Sequence, residues 1–288
     1  MIPRVIHYCW FGRNPLPELA VQCIESWKKY CPGYEIREWN EDNYDLDSCK
    51  YVRQAYEAGK WAFVSDYARF DILFKYGGIY FDTDVELLKP IEPILNRGAF
   101  MGCESQRRKG KETARSGFGI AVNPGLGLAA ASGNAIYKEM LDDYKELDFQ
   151  KEYKDGSFKT VVDRITDVLE RHGLIQTQET QCIKGISIYP DEFFCPLDYT
   201  TGILSITENT YSIHHYTASW IGRLDKVIVR LERMYCRKGK LATAVGDILI
   251  LPLKAVNKVV KLGILDTMRF LGRKMLGLLR GKGNLCDM

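Results

Sequence analysis

Residues 77–88 read GGIYFDTDVELL: a glycine pair, a short apolar run, then two aspartates one residue apart. Gly77-Gly78 ends the helical pattern of Ser65–Lys75, because glycine takes the left-handed conformation at a helix terminus without a Cβ penalty. Ile79–Phe81 then reads as a buried strand, and Asp82 and Asp84 follow at its carboxyl end. Ligands of open α/β sheets collect at that end of the strands. Two like charges are tolerated there when a cation lies between them. Carboxylate oxygens suit Mg²⁺ or Mn²⁺ bridging to phosphates.

The spacing alone is weak evidence. With 19 Asp in 288 residues, chance supplies roughly one such pair, and a second copy stands at Asp45-Leu46-Asp47. That copy lies in the polar run NEDNYDLDS and reads as a solvated turn and helix cap. Upstream of the first pair, Ser65 is expected to cap a helix in which Asp66 and Arg69, at i and i+3, share one face. They form either a surface ion pair or a group that orients an anionic ligand.

Working outward, strands are expected at Arg4–Trp10, Tyr34–Trp39, Ala99–Cys103, Gly117–Val122, Ile186–Tyr189 and Tyr211–His215. Helices are expected at Glu18–Tyr30, Ser48–Ala58, Ala135–Lys145, Lys159–Arg171 and Leu224–Lys238. Strands alternating with helices predict an α/β fold with a mostly parallel central sheet covered on both faces. At 288 residues, 46% hydrophobic and 27% charged, the chain is large enough for a well-buried core and is unlike a disordered polymer.

Net charge is +3 but unevenly spread. Residues 222–288 carry 15 Lys and Arg against 5 Asp and Glu, leaving 25 against 32 for residues 1–221. An acidic body is poorly suited to a nucleic-acid backbone, whereas the basic tail suits an anionic lipid surface. The nine cysteines form no CxxC pair and read as thiols of a reducing compartment. No signal peptide and no spanning helix is expected, which points to a cytoplasmic protein.

Taken together, SDYARFDILFKYGGIYFDTDVELLKPI closely resembles the sugar-binding DxD region of glycosyltransferase family 32. The pattern SDxxRxxxLxxxGGxYxDxD is met at Ser65, Asp66, Arg69, Leu73, Gly77, Gly78, Tyr80, Asp82 and Asp84. IPRVIHYCWFG looks like the family's opening strand, and IYPDEFFCPLDY with YSIHHYTASWIG like its closing region, so the resemblance spans residues 1–221. It implies a GT-A domain over 1–221; residues 222–288 read by charge and periodicity as a helical basic extension. The resemblance further implies a nucleotide-sugar donor, a saccharide or lipid-linked saccharide acceptor, a divalent cation and retention of anomeric configuration.

By the same resemblance Asp82, Asp84 and His215 hold Mn²⁺ or Mg²⁺. Trp10, Asp66, Arg69, Tyr80, Asp82, Ser219 and Trp220 contact the donor, with Asp66 and Arg69 as the charge-stabilising pair. Asn123 and Asp191-Glu192 are further candidates for sugar contacts. Two other readings stand beside this one. YFDTDVEL also resembles the nucleophile strand of haloacid-dehalogenase-like phosphatases, and the chain could bind a sugar nucleotide without turnover. In the tail, Val256, Val259, Val260, Ile264, Met268, Leu271, Met275 and Leu278 cluster on a helical wheel opposite most of the basic residues. This segment either lies on the inner membrane face or packs on protein.

Overall fold

A computed structural model describes residues 1–106, 119–155, 159–217, 222–239, 241–257 and 259–260. In chain order the elements are β1 (Val5–Cys9), α1 (Glu18–Tyr30), β2 (Glu35–Trp39), α2 (Lys50–Glu57), α3 (Trp61–Tyr76), β3 (Gly78–Tyr80), β4 (Val85–Leu87), α4 (Glu92–Leu95), β5 (Ala99–Gln106), β6 (Gly119–Val122) and β7 (Leu128–Ala130). There follow α5 (Ala135–Lys145), α6 (Phe149–Asp155), α7 (Val161–Arg171), β8 (Gln181–Ile183), β9 (Ile186–Tyr189), α8 (Asp191–Phe194), β10 (Ser212–His214) and α9 (Arg223–Cys236). A last helix, α10, covers 241–257.

The main sheet has eight strands in the order β2-β1-β3-β7-β5-β9-β8, with β6 paired to β5. Strands β2, β1, β3, β5 and β9 run one way. Strand β7 is inserted antiparallel between β3 and β5. The sheet is thus α/β and parallel in most of its strands, as expected. A separate two-stranded ribbon joins β10 to β4.

Alternation along β3 explains how the site is aimed. Ile79 and Phe81 enter the apolar cluster on the α1 side, while Tyr80 enters the cluster on the α3 side. With a period of two, Asp82 follows Tyr80 onto the α3 face. Helix α3 is buried almost all round, from Val64 to Leu73 with only Ser65 less covered, as befits a helix enclosed between the sheet and α2 and α5. It begins one turn earlier than its sequence suggests. Trp61 and Phe63 pack against the core, so Ser65 lies inside the helix and its hydroxyl donates to the Trp61 carbonyl at 3.2 Å rather than capping.

On the other face, α1 steadies the segment that follows the aspartates. Buried Trp27 donates from Nε1 to the Val85 carbonyl at 2.7 Å, and the Ser26 hydroxyl accepts from the Leu87 amide at 2.9 Å. Beside β3, His7 is buried. Its Nε2 bonds the Gly77 carbonyl at 3.0 Å and its Nδ1 accepts from Trp39 Nε1 at 3.0 Å. Gly77 and Gly78 have φ of 65° and 105°. A Cβ on Gly78 would stand 2.8 Å from the Val5 carbonyl, so only glycine fits there.

The chain divides into two compact units, residues 1–198 with 204–217 and residues 199–203 with 218–288. Within the second, α9 and α10 pack together. Asn257 donates to Asp225 at 2.6 Å, Lys254 pairs with Glu232 at 2.8 Å, and Ile250 is buried. Among the described residues no helix is long and apolar enough to cross a membrane.

Candidate active site

The backbone turns sharply after β3. The Asp82 amide bonds the Gly125 carbonyl at 3.2 Å and its own carbonyl accepts from Val85 at 3.0 Å, which starts β4. Pairing of β4 with β10 puts His214 opposite Val85 and carries its ring to the aspartates. Ligand atoms of Asp82, Asp84 and His214 all lie within 4.8 Å of one another.

Asp84 is the most firmly held. Its Oδ1 faces His214 Nε2 at 3.0 Å, and its Oδ2 accepts from both the amide and the hydroxyl of Thr217, each at 2.8 Å. Burial alone would raise its pKa, but the His214 charge and these hydrogen bonds outweigh burial and hold the carboxyl well below the usual range. Burial works to lower the pKa of His214, and Asp84 beside it reverses the direction, so the imidazole is raised. Its Nδ1 is buried with no hydrogen-bond partner among the described residues.

Asp82 is oriented from α3. Arg69, with a side chain only 5% exposed, reaches Asp66 Oδ1 at 3.0 Å and Asp82 Oδ1 at 3.3 Å. Its Nε donates to the Ser65 carbonyl at 3.0 Å, and the guanidinium lies 5.0 Å over the Tyr80 ring. The Tyr80 hydroxyl donates to Asp82 Oδ1 at 3.1 Å. Burial pushes Asp66 up to about 7 against the pull of Arg69. The pair at i and i+3 is therefore no surface ornament: it is a buried brace behind Asp82.

A polar chain connects Asp82 to the His214 side. Asn123 Oδ1 accepts from the Gly125 amide at 2.8 Å, and Asn123 Nδ2 donates to Glu104 at 2.7 Å. Tyr216 also donates to Glu104 at 2.7 Å, and its ring meets His214 edge-on at 4.2 Å. Tyr216 takes a φ of 50°, a conformation uncommon for a bulky residue.

Of the residues expected from sequence, Asp66, Arg69, Tyr80, Asp82 and Asp84 come together. His215 does not join them: its Nε2 turns to Glu86 at 2.9 Å, and His214 occupies the place expected for it. The cause is strand parity, since neighbouring residues face opposite sides and the register of β10 on β4 selects the first of the two. Trp10 sits at the carboxyl end of β1, part-exposed, with Nε1 bonded to the Asn14 carbonyl at 2.6 Å. Ser219 and Trp220 lie outside the described residues. Glu104, Thr217, Tyr216 and Gly125 carry no local signal in the sequence; the fold alone brings them to the site. Asp191 accepts from Ser105 and Glu192 from Thr207 and Asn209.

Two carboxylate oxygens and an imidazole nitrogen fit a divalent cation of the Mn²⁺ or Mg²⁺ class, with the nitrogen favouring Mn²⁺. The proton that His214 holds against Asp84 would have to leave for Nε2 to bind such an ion.

Residues 17–101 match the family described as "Glycosyltransferase sugar-binding region containing DXD motif". Among curated proteins the chain is similar to inositol phosphoceramide mannosyltransferases 1 and 3 of Schizosaccharomyces pombe. Each is 31% identical, over 111 and 108 residues, covering 35% of this chain in both cases. The matched stretch spans only 33% and 29% of those relatives' own length. Among solved structures it is similar to the PaToxG glycosyltransferase, with a TM-score of 0.41 at 18% identity, covering 59% of this chain and 69% of that one. The family match covers the aspartates themselves and so favours the transferase reading over the phosphatase one.

Proposed function

We propose that this chain, a protein of the glycosyltransferase family 32 type, is a metal-dependent retaining hexosyltransferase of GT-A fold. It moves a sugar from a nucleotide-sugar donor, a UDP-sugar in preference to GDP-mannose, to a hydroxyl of a glycan or lipid-linked saccharide. The setting is assembly of surface polysaccharide on the cytoplasmic side, with residues 1–221 as the catalytic domain. The observation that carries this is the convergence of Asp82, Asp84 and His214 at the carboxyl end of β3, where ligands of such sheets bind.

Asp82, Asp84 and His214 would hold the ion. Such an ion would supply Lewis-acid charge to offset that of the donor diphosphate. The chain's own groups supply orientation. Arg69 keeps Asp82 in one rotamer and acts on the donor through it, so it is a positioning residue, and Asp66 balances its charge in the interior. Thr217 fixes Asp84. Tyr80 orients the remaining lone pairs of Asp82. Trp10 offers a part-exposed ring for the base, and Ser219 and Trp220, outside the described residues, are the further donor-contact candidates that the family resemblance gives. Asn123 and Glu104 present polar groups beside Gly125 for sugar hydroxyls.

Thermal unfolding of the full chain with UDP- and GDP-sugars, with and without Mn²⁺, tests this. The matching donor together with Mn²⁺ stabilises by about 2.7 kcal/mol at a hundred times its dissociation constant, and either alone by much less. Slow donor hydrolysis accompanies binding. Silence across all donors, or phosphate release from simple monoesters, overturns the proposal.

A further inference from the structure

Helix α10 is inside out for a helix of a water-soluble unit. Leu241, Val245, Ile248, Leu249 and Val256 fall within an arc of about 100° at 3.6 residues per turn, and they face water. Leu241, Ile248, Leu249 and Val256 are 81%, 71%, 60% and 54% exposed. Pro252 lies exposed in the same arc. The polar groups point the other way: Asn257 to Asp225 and Lys254 to Glu232, both on α9. Gly246 locks this orientation, since a Cβ there would stand 2.4 Å from the Tyr235 ring. The helix cannot roll its apolar side inward without breaking these contacts. An amphipathic helix normally buries its apolar stripe, so this one is built to meet something else.

Charge decides what. Between Leu241 and Leu253 the sequence has no Lys or Arg and one acid, Asp247. In the sequence this stretch is preceded by Arg237, Lys238 and Lys240 and followed, past the Lys254 that pairs with Glu232, by Lys258 and Lys261. An exposed apolar face in a stretch preceded and followed in sequence by cations complements acyl chains under anionic headgroups. It opposes pairing with a second copy of itself, whose flanking sequence carries the same sign. We infer that the exposed face of α10 is a docking surface for an anionic phospholipid bilayer, lying in the plane of the interface. This goes beyond the donor site and does not depend on it.

Flotation of the full chain with vesicles of phosphatidylcholine, alone or mixed with phosphatidylglycerol, tests the inference. The chain floats with the mixed vesicles, and roughly ten-fold less with phosphatidylcholine alone or at high salt. The double variant Ile248→Glu with Leu249→Glu lowers binding to mixed vesicles by about ten-fold or more. Both side chains already face water, so its melting temperature and its response to donor with Mn²⁺ stay those of the parent. A parent chain that does not float overturns the inference, as does a double variant that floats equally well. So does a parent dimer that the variant converts to monomer in light scattering, which would assign the face to a second copy.

Discussion

The two oxygens of Asp82 have different neighbours. Oδ1 is taken by Tyr80 and Arg69, and Oδ2 lies so close to Gly125 that a Cβ there would stand 2.2 Å away. Gly125→Ala therefore forces the carboxylate to rotate, although Gly125 has no positive φ to lose. Its expected effect is a 10- to 100-fold loss of Mn²⁺ affinity with little change in stability, measured by calorimetric titration and melting. His214 and His215 give a contrast in the same assay. His214→Ala should weaken Mn²⁺ by at least about ten-fold, whereas His215→Ala, which removes only a partner of Glu86, should change it by less than about two-fold. Equal effects would place the ion elsewhere. The aspartates were legible in the sequence because a glycine pair and an apolar strand precede them. The choice between adjacent histidines was not, because it depends on which residue of β10 stands opposite Val85.

At the level of elements, β1, β3 and the end of α3 meet at His7. Burial holds the pKa of His7 down at about 4 from its ordinary 6.5, with the Gly77 hydrogen bond only partly opposing. The unfolded chain thus binds a proton that the folded one refuses between pH 6.5 and 4. Stability is complete above 6.5 and falls as the pH drops through that window, by about 3 kcal/mol in all from this group. Urea unfolding at pH 7.5 and pH 4.5 should show this loss, and His7→Gln should lessen it even though the variant starts less stable; an unchanged pH dependence would dismiss His7 as its source. The helices α1 and α5 were readable in advance to the residue from periodicity and Pro, Gly or Asn boundaries, and the four-residue β9 from the Gly185 and Pro190 that bound it. Three-residue strands such as β4, β7 and β8 have too few residues to show a period, and pairing partners distant in sequence define them. Ser65 misled because a capping residue and a mid-helix residue look alike when Trp61 and Phe63 extend the helix by packing.

Across the whole molecule, the described cysteines differ in how far they are covered. Cys9, Cys23 and Cys31 are buried, and burial pushes each thiol up to about 12, while Cys182 is exposed. Thiolate is the reactive form, so brief iodoacetamide treatment read by peptide mass should label Cys182 while leaving those three unmodified until the chain is unfolded. Early labelling of Cys9 would contradict the packing around β1.

The clasp on Asp84 comes from Thr217, 133 residues further along the chain. During synthesis, then, the turn bearing both aspartates is made long before the threonine and the nearby His214 leave the ribosome. Competence to grip a cation arrives at the end of assembly, as non-local pairings do.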